Sequence, residues 1–121
     1  MKIIELKSGS MCVSISNLGA RILGWQTLVN GSYRPIVLQY NNEGDYLSDR
    51  FYLGAIVGPY ANRIKNGRVN IKEDKVLHLN CNEGLNHLHG GKNAIDKQTW
   101  QIVYSSQSAV LLELVIQDMW N

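Results

Sequence analysis

Met11-Cys12-Val13-Ser14-Ile15-Ser16 sets Met11, Val13 and Ile15 against Cys12, Ser14 and Ser16 with a period of two. That alternation turns one face towards a core and is the pattern of a β-strand. Working outward, Lys2 to Leu6 reads as a short strand entering a Ser8-Gly9-Ser10 turn, and Asn17-Leu18-Gly19 leads into a strand over Ala20 to Val29. Asn30-Gly31 is the strongest hairpin signal, because both residues tolerate the positive φ of a type I′ turn. A strand is predicted after it over Pro35 to Tyr40, then one helical turn over Asn42 to Leu47. The continuously apolar Tyr52 to Val57 reads as a buried strand. Arg68 to Ile71 and Lys75 to Leu79 flank Glu73-Asp74 as a second hairpin, and Trp100 to Tyr104 and Ala109 to Ile116 form two late strands. Two prolines and eleven glycines punctuate these runs, and no segment sustains a helical period. The expected fold class is all-β, an antiparallel sandwich or barrel with no helix longer than about three turns.

A length of 121 residues fits a single domain with a modest core, and neither repeat nor linker interrupts it. Twelve Lys and Arg against ten Asp and Glu leave a net charge of +2, too small and too dispersed for a nucleic-acid or membrane-surface footprint. Ala109 to Ile116 is broken by Glu113 and is too short to span a bilayer. Glu5 and Lys7 interrupt the N-terminus before a signal peptide could form. Cys12 and Cys81 lack a paired spacing, so the expectation is a reduced, cytoplasmic protein without a structural disulfide. Val110, Leu112, Leu114 and Ile116 interleave with Leu111 and Val115, which makes both faces of the last strand apolar. Such a strand belongs in the middle of a sheet, and the chain ends before supplying its neighbours.

Two segments carry chemistry that strands do not require. In Gly58-Pro59-Tyr60-Ala61-Asn62-Arg63-Ile64, an Asn-Arg pair follows a Gly-Pro break. Asn offers a donor and an acceptor, and Arg a rigid fork of donors, so the pair suits the neighbouring hydroxyls of a polyol. The same residues also suit a plain strand end, with Asn62 in a turn and Arg63 solvated. In Asn86-His87-Leu88-His89-Gly90-Gly91, an extended backbone would put His87 and His89 on one side. Gly-Gly then permits positive φ or close backbone approach. A metal site from His87, His89 and His78 lacks any acidic or Cys ligand at a supporting spacing, and surface histidines beside a turn are the simpler alternative.

Taken together the segments resemble the aldose 1-epimerase family. The shared pattern is Gly58 to Ile64, Leu77 to Asn80, Asn86 to Gly91, and Trp100, preceded by Asn17-Leu18-Gly19-Ala20-Arg21-Ile22, Asn30-Gly31 and Tyr46-Leu47. The resemblance covers nearly all of residues 1–121 and implies the N-terminal part of one galactose mutarotase-type β-sandwich. It implies an isomerase that interconverts the α and β anomers of aldohexoses such as galactose and glucose without a cofactor. One group takes the proton of the anomeric hydroxyl while another protonates the ring oxygen, so the two need pKa values tuned apart.

By the same resemblance Arg63 is a sugar-binding arginine with Asn62 beside it, and His89 contacts the sugar on its ring-oxygen side. His87 occupies a position the family motif leaves open, and His78 is structural. The family's acid His and base Glu are expected beyond Asn121, so no catalytic residue is assigned within the chain. Gln117-Asp118-Met119-Trp120-Asn121 resembles the start of a family segment that continues into Gly-Tyr-Pro-Gly. The expectation is a chain inactive alone, with self-association or complementation by a C-terminal part. The alternatives are a non-catalytic carbohydrate-binding module or a degenerate fragment. A hexose-phosphate relative would want more basic residues than Lys65, Arg68 and Lys92 near the motifs.

Overall fold

A computed structural model of the chain describes residues 1–117. It forms two compact units, one of residues 1–56 with 99–114 and the other of residues 57–98 with the described tail. Among the described residues the ordered elements are antiparallel strands and short 3₁₀ turns, as the period-two runs predict.

The first unit is built on a four-stranded sheet in the order β1 (Ile3–Ser8), β2 (Met11–Ser16), β3 (Ile22–Val29), β4 (Ser32–Pro35). Between β2 and β3 the backbone of Ser16 and Arg21 exchanges reciprocal bonds of 2.8 and 3.1 Å. Gly19 and Ala20 take the left-handed conformation that this loop requires. Asn17, buried within the loop, accepts the Lys2 N–H on Oδ1 at 2.6 Å and the Trp100 N–H on its carbonyl at 2.8 Å. One amide side chain and its backbone thus fix both the chain's start and the entry to β9 (Gln101–Ser105), which pairs with β10 (Val110–Glu113).

Three strand expectations need correction. Asn30 and Gly31 adopt φ of 50° and 80°, the expected hairpin geometry. A two-residue loop pairs Val29 with Ser32 at once, so β4 starts there and ends at Pro35. One more bond, from Ile36 N–H to the Trp25 carbonyl at 2.9 Å, closes the contact with β3, and the Tyr40 N–H is taken by the Tyr46 hydroxyl at 3.1 Å. Pro35 to Tyr40 is therefore not a strand beyond its first residue.

Tyr52 to Val57 is not a strand either. Tyr52 and Gly54 have φ of 56° and 62°, and Asp49 takes the N–H groups of Phe51 and Leu53 at 2.9 and 3.0 Å. Within the segment, the Leu53 N–H is thus committed to a carboxylate and the Ala55 N–H to the Tyr52 carbonyl at 3.1 Å, so neither serves a ladder. The segment lies against β3 instead, with Ile22 N–H donating to the Gly54 carbonyl at 2.9 Å. A Cβ on Gly54 would come within 1.9 Å of the Ile22 oxygen, so only glycine permits this approach.

The last strand, expected over Ala109 to Ile116, stops at Glu113 and has β9 as its one neighbour among the described residues. The helical turn expected over Asn42 to Leu47 is present as a 3₁₀ helix over Glu43–Ser48 and buries Tyr46, with the phenol donating to the Leu23 carbonyl of β3.

The second unit contains β5 (Arg63–Ile64) paired with β8 (His87–Leu88), and the hairpin of β6 (Arg68–Lys72) with β7 (Lys75–His78). Glu73-Asp74 is the turn of that hairpin, as predicted. Its apolar centre is small: Leu79, Leu88, Ala94 and Ile95. No described helix is long and apolar enough to cross a membrane.

Candidate functional site

Both sequence segments that carry chemistry fall in the second unit, and the β5–β8 pairing joins them. Arg63 pairs with Leu88 and Ile64 with His87, so residues more than twenty apart in sequence become neighbours. Asn62 takes φ of 72°, a left-handed conformation that Asn tolerates better than most residues. That twist lets its backbone grip His89 twice: the Asn62 carbonyl accepts the His89 N–H at 3.1 Å, and the Asn62 N–H donates to His89 Nδ1 at 2.9 Å.

The second bond fixes the ring chemistry. With Nδ1 accepting, the proton of a neutral imidazole sits on Nε2, and His89 offers a donor there. Arg63 Nη1 in turn donates to Asn62 Oδ1 at 3.3 Å. Asn62, Arg63 and His89 are thereby one hydrogen-bonded group at the protein surface.

The two glycines after His89 have distinct steric duties. A Cβ on Gly90, at φ of 90°, would stand 2.0 Å from the Gly58 carbonyl oxygen. One on Gly91, at φ of 81°, would stand 2.4 Å from Asn80 Oδ1 and 2.5 Å from the His87 ring. Close approach and positive φ are both used here.

His87 and His89 do not share a side. β8 ends at Leu88, and His89 leaves the extended region at φ of 53°. His87 is 1% exposed and its Nδ1–H donates to the Asn80 carbonyl at 2.7 Å, which makes it a core histidine that ties down the 80–91 loop. His78, at the end of β7, is exposed, although its alternation with Val76 and Leu77 reads as structural. Among the described residues no group of three His, Cys, Asp or Glu is placed to hold a metal ion.

Sequence reading misses Glu83. Its Oε2 accepts Arg63 Nε–H at 2.6 Å and its Oε1 accepts from Nη2, a bidentate clasp. The hydrogen bonds from Arg63 hold the Glu83 carboxyl below the usual glutamate range, outweighing the desolvation that opposes them, and the guanidinium charge adds to the effect. Asn82 is also unforeseen: its amide donates to the Leu88 carbonyl at 2.9 Å and its Oδ1 accepts the Leu88 N–H at 2.7 Å. A side chain acts there as a substitute strand. The available signal was the Asn82-Glu83-Gly84 cluster, which marks a turn but not what the turn holds.

The β5–β8 pairing thus joins the Asn-Arg pair to Leu-His-Gly-Gly on one strand-built surface. The family model for aldose 1-epimerase matches residues 2–119, and the chain belongs to that family. It is 34% identical over 119 residues to the aldose 1-epimerase of Escherichia coli (strain K12), which covers 97% of this chain and 34% of that protein. It is 36% identical over 97 residues to the galactose mutarotase of Rattus norvegicus, covering 79% and 28% respectively.

Among solved structures, an aldose epimerase homologue from C. elegans superposes with a TM-score of 0.84 at 25% identity, over 93% of this chain and 35% of that one. A galactose 1-epimerase from Lactobacillus acidophilus NCFM gives 0.70 at 30% identity, over 86% and 30%. The fold is thus of the galactose mutarotase type. The chain spans about a third of the length of the curated relatives it matches, consistent with an N-terminal portion. The expected continuation at Gln117 to Asn121 lies outside the described residues after its first position.

Proposed function

We propose that this chain supplies the sugar-holding part of a mutarotase acting on aldohexoses such as galactose and glucose. The observation that carries the reading is the pair of bonds between Asn62 and His89, with Arg63 joined to the same asparagine. It supports a role in which the Nε2–H of His89 donates to the ring-oxygen side of the sugar, while the Arg63 fork and the Asn62 amide engage hydroxyls.

Ring opening also needs a base for the anomeric hydroxyl and an acid for the ring oxygen. The resemblance assigns these to a Glu and a His that match no position in residues 1–121, so the chain alone is proposed to be inactive, and no cofactor is required. Exposed apolar side chains on the β9–β10 hairpin, Tyr104 at 56% and Leu111 at 56%, favour a partner supplying the remaining two thirds of such a fold. Cys12 and Cys81 are both free thiols, which suits the reducing cytoplasm proposed for it.

Polarimetry of α-galactose and α-glucose tests the reading. The purified chain is expected to leave the spontaneous rate unchanged, and to accelerate it when a separately made C-terminal part of a relative is added. Removal of one member of an acid–base pair forfeits about 10²–10⁴-fold in rate. Sustained turnover by the chain alone, abolished by His89→Ala, would make His89 the acid and overturn the division of labour.

A further inference from the structure

We propose that Glu83 is a positioning residue for the sugar site: it selects which edge of the Arg63 guanidinium faces a ligand. This inference rests on the sugar-binding reading of Arg63. A guanidinium has two edges that can bridge a pair of oxygens, the Nε–Nη2 edge and the Nη1–Nη2 edge. Glu83 takes the first with both carboxylate oxygens, and Asn62 Oδ1 meets Nη1 at 3.3 Å. The plane of the fork is thereby fixed, with Nη1 on the side of Asn62 and, through the Asn62 backbone, of His89.

The backbone that carries Glu83 is itself held. Glu83 and Asn86 exchange backbone bonds of 3.1 and 2.9 Å across a tight turn. Asn86 Oδ1 accepts the Asn66 N–H at 3.4 Å, which ties this turn to the segment that follows β5.

Stability does not account for such a clasp. The Arg63 and Glu83 side chains are 53% and 37% exposed, and ion pairs that open to solvent contribute little to folding. What a bidentate pair adds at an exposed position is geometry. Arg carries several rotatable bonds, and ordering it before a ligand arrives removes that cost from binding.

The test is a titration of the full chain with D-galactose, followed by ¹⁵N NMR at the backbone amides and at the Arg Nε–H groups. In the unmutated chain the Arg63 Nε–H resonance is expected downfield of that of exposed Arg34. Glu83→Gln, and independently Glu83→Ala, should move it upfield, leave amides outside the second unit unchanged, and weaken galactose binding about 10-fold, the equivalent of about 1.4 kcal/mol. Arg63→Ala should abolish binding. If Arg63→Ala abolishes binding and both Glu83 variants bind like the parent, the positioning role is wrong and the sugar reading stands. Tighter binding by the Glu83 variants would show a carboxylate that competes with the ligand, which also overturns the role. An Arg63 Nε–H resonance in the parent chain that coincides with Arg34 would refute the clasp without any variant having to fold. Absence of galactose binding by the parent chain overturns both proposals.

Discussion

Asp49 shows how one side chain can organise a loop. Its carboxylate is fully buried and accepts four hydrogen bonds: from Arg21 Nη1, from the Tyr40 hydroxyl, and from the N–H groups of Phe51 and Leu53. Desolvation alone would raise its pKa. The bonds from Phe51, Tyr40 and Arg21, together with the guanidinium charge, outweigh it and hold the carboxyl below the usual aspartate range. A depressed folded-state pKa means that the stabilisation is complete above the unfolded value of about 3.9 and is lost as pH falls through the lower, folded one. Asp49→Ala, which strands the Arg21 charge, is expected to cost about 3–5 kcal/mol in urea unfolding near neutral pH. The difference between parent and variant should shrink as the pH is taken below about 4, and a difference constant with pH would refute the assignment. Glycines give a second residue-scale contrast. Gly90→Ala is expected to destabilise by about 2–3 kcal/mol and to displace the His89 ring signals, because its Cβ meets the Gly58 carbonyl at 2.0 Å. Gly44→Ala meets nothing within 4 Å and is expected to change stability by less than about 1 kcal/mol. Equal effects of the two would show that the steric reading of Gly90 is wrong.

Among the elements, the hairpins fall where turn chemistry puts them and the apolar runs do not always become strands. Asn30-Gly31 and Glu73-Asp74 each close a ladder on strands with alternating faces. Those signals are local, carried by residues adjacent in sequence. Tyr52 to Val57 is as apolar as a strand, yet its Leu53 N–H is claimed by Asp49 and its Ala55 N–H by the Tyr52 carbonyl, and no property of the run itself announces that. β9 and β10 pair with each other across a register shift between Leu111 and Leu112, and Tyr104 stands opposite Leu111 on an exposed face. Leu111→Lys should remove apolar surface there without disturbing the ladder. By sedimentation velocity, a concentration-dependent association of the chain is expected to weaken in this variant. Unchanged association would place the contact elsewhere.

On the scale of the whole molecule, the chain spans about a third of the length of the aldose 1-epimerase it matches, with the Asn-Arg and Leu-His-Gly-Gly motifs gathered in the second unit. The apolar side chains left at the surface include Leu38 at 81%, Phe51 at 77% and Leu85 at 76% exposure. Their number bears on stability, since each exposed side chain forgoes about 1.5–3 kcal/mol that burial would contribute. Mixing the chain with a C-terminal part of a relative is therefore expected to raise its thermal midpoint as well as to confer mutarotation. A midpoint unchanged at saturating partner would count against a shared core.

By itself the sequence determined the fold class, the hairpin positions and the family, because each rests on signals read within a few residues: alternation, Asn-Gly, Asn-Arg-Ile, Leu-His-Gly-Gly. It also pointed to Asn62, Arg63 and His89 as residues suited to a sugar. Only the tertiary structure decided that Asn62 holds the His89 ring by Nδ1, that Glu83 clasps Arg63, and that His87 is buried while His89 is not. The physical reason is common to all three. Each depends on the β5–β8 pairing and on left-handed backbone at Asn62 and His89, which bring distant residues to hydrogen-bond distance and break the alternation from which a strand's faces are read.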